Sequence, residues 1–206
     1  MTFGFLLFND LEELDLIGPW EMITMWGKHA GGPEHCVMIA ENMKPIICAK
    51  GLSVNPHTSF ADCPELDYLL IPGGQGTRVE VDNPKLIEFV ANQAKSCQAM
   101  LSVCTGSFIL HKAGLLSGKR ATTHWRSLPL LRGLGDVQVV EQRFVQDGNI
   151  WTAAGVSAGI DMALAFIATT AGERAAMVTQ LAAEYVPDKT IYGDLSKVEN
   201  LPEYIK

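Results

Sequence analysis

The chain has 206 residues, 48% hydrophobic and only 19% charged, a composition that suits one compact, core-rich domain and excludes a disordered polyelectrolyte. Its formal charge of −7 comes without a stripe dense in lysine and arginine, which argues against a nucleic-acid backbone as partner. No apolar run reaches the roughly 18–20 residues needed to cross a bilayer, so no membrane partner is expected.

In chain order, residues 2–8 read as a short, almost wholly apolar core strand. They lack the basic lead-in of a signal peptide. Residues 14–26 follow with near-helical apolar spacing, and Pro19 is expected in the first turn of that helix, where its missing N–H costs nothing. Short strands are expected over 36–40 and 46–49, with 51–55 continuing the second after a turn. Residues 68–71 form a fully buried strand ended by Pro72-Gly73-Gly74. Asp82 or Asn83 can cap a helix from Pro84 to about residue 95. A third buried strand, 99–103, runs straight into a helix over 105–112 that Gly114 ends. Residues 121–123, 127–132 and 137–141 read as strand, helix and strand. Asp147-Gly148-Asn149 is a hairpin turn between strands 144–146 and 150–152. Helices over 157–170 and 173–185 close the pattern.

Buried strands alternating with helices predict an α/β fold with a mostly parallel sheet covered on both faces. Residues 1–187 are expected to form the single domain, and 188–206 a polar C-terminal extension that carries no reading. Such sheets place ligands beyond the carboxyl ends of their strands. Three of those ends, after Phe8, Ile71 and Val103, carry unusual chemistry.

Cys104 stands at the junction of the third strand and its helix, where unpaired first-turn amides favour a thiolate and small neighbours leave the sulfur approachable. The competing reading is a small buried hydrophobe that happens to be cysteine. Gly73 and Gly74 can present backbone N–H groups to a developing anion, or can be an ordinary turn. Asp15 fits either a helix cap or a proton-transfer group whose pKa rises beside the sulfur. Glu12 and Glu13 read as solvent-exposed residues preceding the helix. His124, beside Trp125, lines the same crevice or packs within it; Asp15 ranks above it for proton transfer. The remaining cysteines, Cys36, Cys48, Cys63 and Cys97, lack such a setting. Five cysteines without a CxxC pair predict free thiols, a reducing compartment and hence the cytoplasm, and give no local support to a metal site.

Several stretches together resemble the DJ-1/PfpI superfamily, most closely its isocyanide hydratase branch. They are Gly4-Phe-Leu-Leu-Phe8, Leu14-Asp-Leu-Ile-Gly-Pro19, Thr58-Ser-Phe-Ala-Asp-Cys-Pro64, Ile71-Pro-Gly-Gly74, Ser102-Val-Cys-Thr-Gly-Ser107, Ala113-Gly-Leu-Leu-Ser-Gly-Lys-Arg-Ala-Thr-Thr-His-Trp125 and Ala158-Gly-Ile-Asp161. The resemblance implies a flavodoxin-like three-layer sandwich with a nucleophile elbow, and a homodimer. It implies Cys104 as nucleophile and Asp15 as its carboxylate partner, acting without metal or cofactor on an organic isocyanide. Gly73, Gly74 and Thr105 then match the amide-bearing surroundings of the sulfur. Trp20, the stretch Gln75-Gly76-Thr77-Arg78 and His124 are expected at the pocket, whose entrance, if apolar, suits an alkyl or aryl group. Related transcriptional regulators share some of these motifs, but the 19 residues after Pro187 leave no room for their DNA-binding helices. The alternatives are a DJ-1-like glyoxalase or deglycase using the same cysteine, and a non-enzymatic ligand- or oxidation-sensing protein.

Overall fold

The computed structural model describes residues 1–187, 195 and 198–205, so most of the expected extension at 188–206 lies outside the described residues. The elements are β1 (Thr2–Leu6), α1 (Glu13–Ala30), β2 (His35–Ala40), β3 (Ile46–Ile47), β4 (Ser53–Val54), β5 (Thr58–Ser59), β6 (Tyr68–Ile71), α2 (Thr77–Glu80), α3 (Pro84–Gln93) and β7 (Ala99–Val103). They continue with α4 (Gly106–Lys112), β8 (Arg120–Ala121), α5 (Leu128–Gly133), β9 (Gln138–Val139), β10 (Phe144–Asp147), β11 (Ile150–Ala153), α6 (Ala158–Ala171) and α7 (Glu173–Ala182).

Seven strands make the central sheet in the order β10-β11-β7-β6-β1-β2-β5. All neighbouring pairs are parallel except the β10–β11 hairpin, whose turn is the Asp147-Gly148-Asn149 signal. The central strands β1, β6 and β7 are buried along almost their whole length and largely apolar because helices cover the sheet, as in flavodoxin-like α/β folds. Helices α1, α6 and α7 pack against one another. Phe166 on α6 presses edge-on against Phe3, Tyr68 and Trp151 from three strands, at ring-centroid distances of 6.1, 5.1 and 5.7 Å. On the other helices, Asn83 caps α3 as expected, accepting the Lys85 N–H at 3.1 Å and the Leu86 N–H at 3.4 Å.

Some expectations are corrected. Pro19 sits seven residues into α1, not in its first turn. It denies the Asp15 carbonyl its helical donor, and its ring packs where α6 has Gly159, so close that a Cβ there would lie 2.9 Å from the proline Cγ. Residues 46–47 and 53–54 form a separate antiparallel hairpin, β3–β4, outside the main sheet. The last helix stops at Ala182 rather than 185, and Glu184 has a positive φ of 48°. Helix α2 was not foreseen: a four-residue helix is too short to show a period.

The sheet's order fixes where a site can form. From β1 the chain steps one way to β2 and β5, then crosses back to β6 and β7 on the other side. The carboxyl ends of β1, β6 and β7 are therefore adjacent at a topological switch point. The loops leaving β1 and β6 pair there: Glu12 gives its N–H to the Gly73 carbonyl at 2.9 Å, and Leu11 bridges Gly74. Among the described residues no helix is long and apolar enough to cross a membrane.

Candidate active site

Cys104 ends β7 with φ 57°, a left-handed conformation that a non-glycine residue adopts only when its surroundings impose it. The imposing contacts are explicit. Its N–H is shared between the carbonyls of Ala153 and Ala154, each at 3.0 Å. Its own carbonyl accepts the Thr123 hydroxyl at 2.8 Å and the Ser107 hydroxyl at 3.3 Å. The bend also needs a neighbour without a side chain, since a Cβ on Gly73 would lie 2.5 Å from the Thr105 nitrogen and 2.8 Å from the Cys104 Cβ. The sulfur-bearing residue is 7% exposed.

Asp15, on the first turn of α1, is completely buried. It is not a helix cap: Glu12 occupies the cap position, without a side-chain bond. Asp15 Oδ2 accepts the Gly73 N–H at 3.0 Å. Its other oxygen, Oδ1, is buried without a well-formed hydrogen bond. Carboxyl and thiol are close enough that each perturbs the other's protonation.

Burial dominates the electrostatics. It pushes the Asp15 carboxyl up to about 8, against the pull of the Gly73 N–H and the Cys104 thiol. Burial likewise pushes the Cys104 thiol well above its ordinary value, and the Asp15 charge adds to this, while the N–H and hydroxyl of Thr105 oppose it. Both shifts oppose the thiolate expected from the helix end: burial at this site favours the uncharged form of carboxyl and thiol alike. With Oδ2 engaged by the Gly73 N–H, Oδ1 is the oxygen left to carry a proton when Asp15 is protonated.

The expected anion-binding amides are also reassigned. The Gly73 N–H is engaged by Asp15, and the Gly74 N–H donates to Thr105 Oγ1 at 3.0 Å. Thr105 Oγ1 also lies 3.1 Å from the Gly74 carbonyl and 3.1 Å from the Thr77 hydroxyl. The Pro72-Gly73-Gly74 turn therefore holds Asp15 and Thr105 in place beside the sulfur.

Above Cys104 is a cavity of about 230 Å³. Thr105, Gly74, Gln75 and His124 line it. His124 Nδ1 accepts the Arg126 N–H at 3.3 Å, and burial, with the Arg126 charge, lowers its pKa, so the imidazole is neutral. Among the described residues no hydrogen bond joins His124 to Cys104. Trp20 is not on the cavity wall; its ring packs against Phe5 at 5.0 Å and His57 at 5.8 Å.

Sequence reasoning missed part of the wall. Glu12 lines it and, like Glu13, is half-buried and ion-paired with Lys50 rather than freely solvated. Arg126 lines it too, one residue beyond the Thr122–Trp125 motif. Tyr204, in a tail that carried no signal, packs half-buried against the core. Its phenol is pushed up by burial, with Glu141 and Cys104 adding and Arg143 opposing.

Residues 2–169 match the DJ-1/PfpI family. The chain is 40% identical to the isonitrile hydratase of Pseudomonas putida over 188 residues, 91% of this chain and 79% of that protein. It is 29% identical to the deglycase PfpI of Pyrococcus furiosus over 157 residues, 75% of this chain and 89% of that one. A crystal structure of a ThiJ/PfpI family protein from Pseudomonas syringae superposes with a TM-score of 0.85 at 33% identity, covering 95% of this chain and 79% of that chain.

Proposed function

The chain belongs to the DJ-1/PfpI family, and from that membership and the chamber over Cys104 we propose that it is an isonitrile hydratase, adding water to an organic isocyanide to give the N-substituted formamide. The observation that carries this reading is a thiol at the floor of one small cavity, backed by a fully buried carboxyl whose pKa burial raises to about 8. The identity to the Pseudomonas putida hydratase supports it.

An isocyanide R–N≡C has its lone pair on the terminal carbon, and that carbon becomes electrophilic once protonated. Asp15 Oδ1 gives its proton to the carbon while the Cys104 thiol loses its own to the carboxylate so formed. Sulfur bonds to the carbon, giving the thioimidate R–N=CH–S–Cys104, with Asp15 protonated again. Water adds to the C=N bond to give R–NH–CH(OH)–S–Cys104. Breakage of the C–S bond releases R–NH–CHO, and the hydroxyl proton returns to sulfur. The formamide has the composition of isocyanide plus water: the C–H proton comes from the enzyme and is replaced by one from the water. A neutral resting pair suits this sequence better than a standing thiolate, because the first event is delivery of a proton. The Thr105 N–H and hydroxyl stabilise the sulfur as charge builds on it.

The test is direct detection of formamide from an isocyanide with wild-type protein and with Cys104→Ala. We expect turnover in the first and background in the second, with an adduct on the Cys104 peptide when the reaction is trapped. Normal formamide production by Cys104→Ala would overturn the mechanism. Faster conversion of methylglyoxal than of any isocyanide would reassign the same cysteine to a glyoxalase or deglycase role.

A further inference from the structure

Two guanidinium groups line the cavity that Cys104 floors, and neither has a carboxylate partner among the described residues. Arg78 reaches the wall from α2, and Arg126 from the turn after His124. The ion pairs of the described residues use other cations. The Arg126 guanidinium stands over the Trp125 ring, 4.9 Å from its centroid. Glu12, the carboxylate on the same wall, shares Lys50 with Glu13, and the wall itself sets two guanidinium groups against that one carboxylate. Glu199 lines the neighbouring cleft beyond Arg126 without forming an ion pair to it. The chamber mouth is therefore cationic on a chain whose net charge is −7. That sign does not follow from composition.

Resting on the hydratase reading above, we propose that the preferred substrate is an isocyanide bearing a carboxylate, its reacting carbon over Cys104 and its charged end held by Arg78 and Arg126. This replaces the expectation of an apolar entrance suited to an alkyl or aryl group. Guanidinium groups fit a carboxylate through parallel N–H donors, and partial enclosure strengthens that attraction relative to open water. The two arginines come from different segments of the chain, α2 and the turn after His124, so a carboxylate between them fixes the orientation of the molecule as well as its affinity.

Isocyanoacetate and methyl isocyanoacetate present the same reacting carbon and differ in charge. Wild-type protein should have the higher kcat/KM for the acid. Arg78→Gln and Arg126→Gln should each lower the acid-to-ester ratio about tenfold, the loss expected for one charge-assisted contact. Arg78→Lys, which keeps the charge but not the fork, should lie between. A second measurement needs no turnover: the rates at which iodoacetate and iodoacetamide alkylate Cys104. The ratio of the anionic to the neutral reagent should fall in both glutamine variants. If isocyanides are hydrated and neither ratio moves, the carboxylate site is refuted while the hydratase reading stands. If no isocyanide is hydrated but the alkylation ratio falls, the anion site stands and the hydratase reading fails. If neither occurs, both are wrong.

Discussion

Gly73 donates its N–H to Asp15 Oδ2 at 3.0 Å across 58 residues of sequence. That bond joins the loop after β6 to the start of α1 and leaves Oδ1 as the free end of a completely buried carboxyl. The burial that makes the carboxyl a proton donor at neutral pH also makes it a pH-dependent element of stability.

In the folded protein Asp15 titrates near 8, against an ordinary value of 3.8. Between those values the unfolded chain has released the proton that the folded protein retains. Stability therefore falls as pH rises through this window, and the contribution is fully lost above about 8. The slope attributable to one such group is at most about 1.4 kcal/mol per pH unit. Asp15→Asn keeps an oxygen for the Gly73 N–H and has nothing to titrate. Denaturant unfolding from pH 5 to 8.5 should show the variant gaining on wild type as pH rises, and parallel curves would refute the buried protonated carboxyl.

Gly73→Ala tests the tightness of the bend. The new Cβ would fall 2.5 Å from a backbone nitrogen, a contact no rotamer can relieve. Either β7's end or the turn must shift, costing about 1–3 kcal/mol and displacing the sulfur from Asp15. A melting temperature lowered by several degrees, with turnover lost disproportionately, is expected. A fully active variant would show that the close packing of turn against elbow is not required.

The contrast between what was legible and what was not follows from the range of the forces involved. The bounds of β6 and β7 were legible because short, largely apolar runs stop at Pro-Gly-Gly and at Cys-Thr-Gly. The Asn83 cap was readable because its partners lie two and three residues away. The ionisation of Cys104 was not. The helix-end amides are local in sequence, but the burial that outweighs them, and the Asp15 charge that adds to it, arise only when the fold closes around the sulfur. For the same reason Gly73 and Gly74 looked like free amides until Asp15 and Thr105 were seen to occupy them. Trp20 failed differently. It lies five residues from Asp15 on one helix, a spacing that turns it to another side, against Phe5 and His57.

Thr105→Val separates the hydroxyl from the shape of its side chain. The methyl that replaces Oγ1 leaves the Gly74 N–H without its 3.0 Å acceptor in a crowded turn. An unsatisfied buried donor costs about 1–3 kcal/mol, visible as reduced resistance to denaturant. Loss of the hydroxyl also removes one of the groups holding the thiol's pKa down, so Cys104 should ionise at still higher pH. Thr105→Ser retains the oxygen and should recover both properties. Damage from serine with none from valine would assign the residue's importance to its methyl group instead.

Thiol reactivity gives a view of the Asp15–Cys104 pair that does not depend on the substrate. In wild-type protein, alkylation of Cys104 by iodoacetamide should be slow at pH 7, where the pair is neutral, and should remain limited above pH 8. There the newly charged Asp15 carboxylate holds the thiol's ionisation up. Asp15→Asn removes that charge while leaving the burial, so at pH 9 its cysteine should be alkylated faster than wild type, although its hydration rate should fall by about 10²–10⁴-fold. Peptide mass mapping over pH 6.5–10 reads the first, and formamide yield the second. Faster alkylation together with lost turnover fits only a carboxyl that moves protons and opposes thiolate formation. If the variant alkylates more slowly than wild type at every pH, Asp15 instead acts as the base that ionises Cys104, and the proton-first mechanism is wrong.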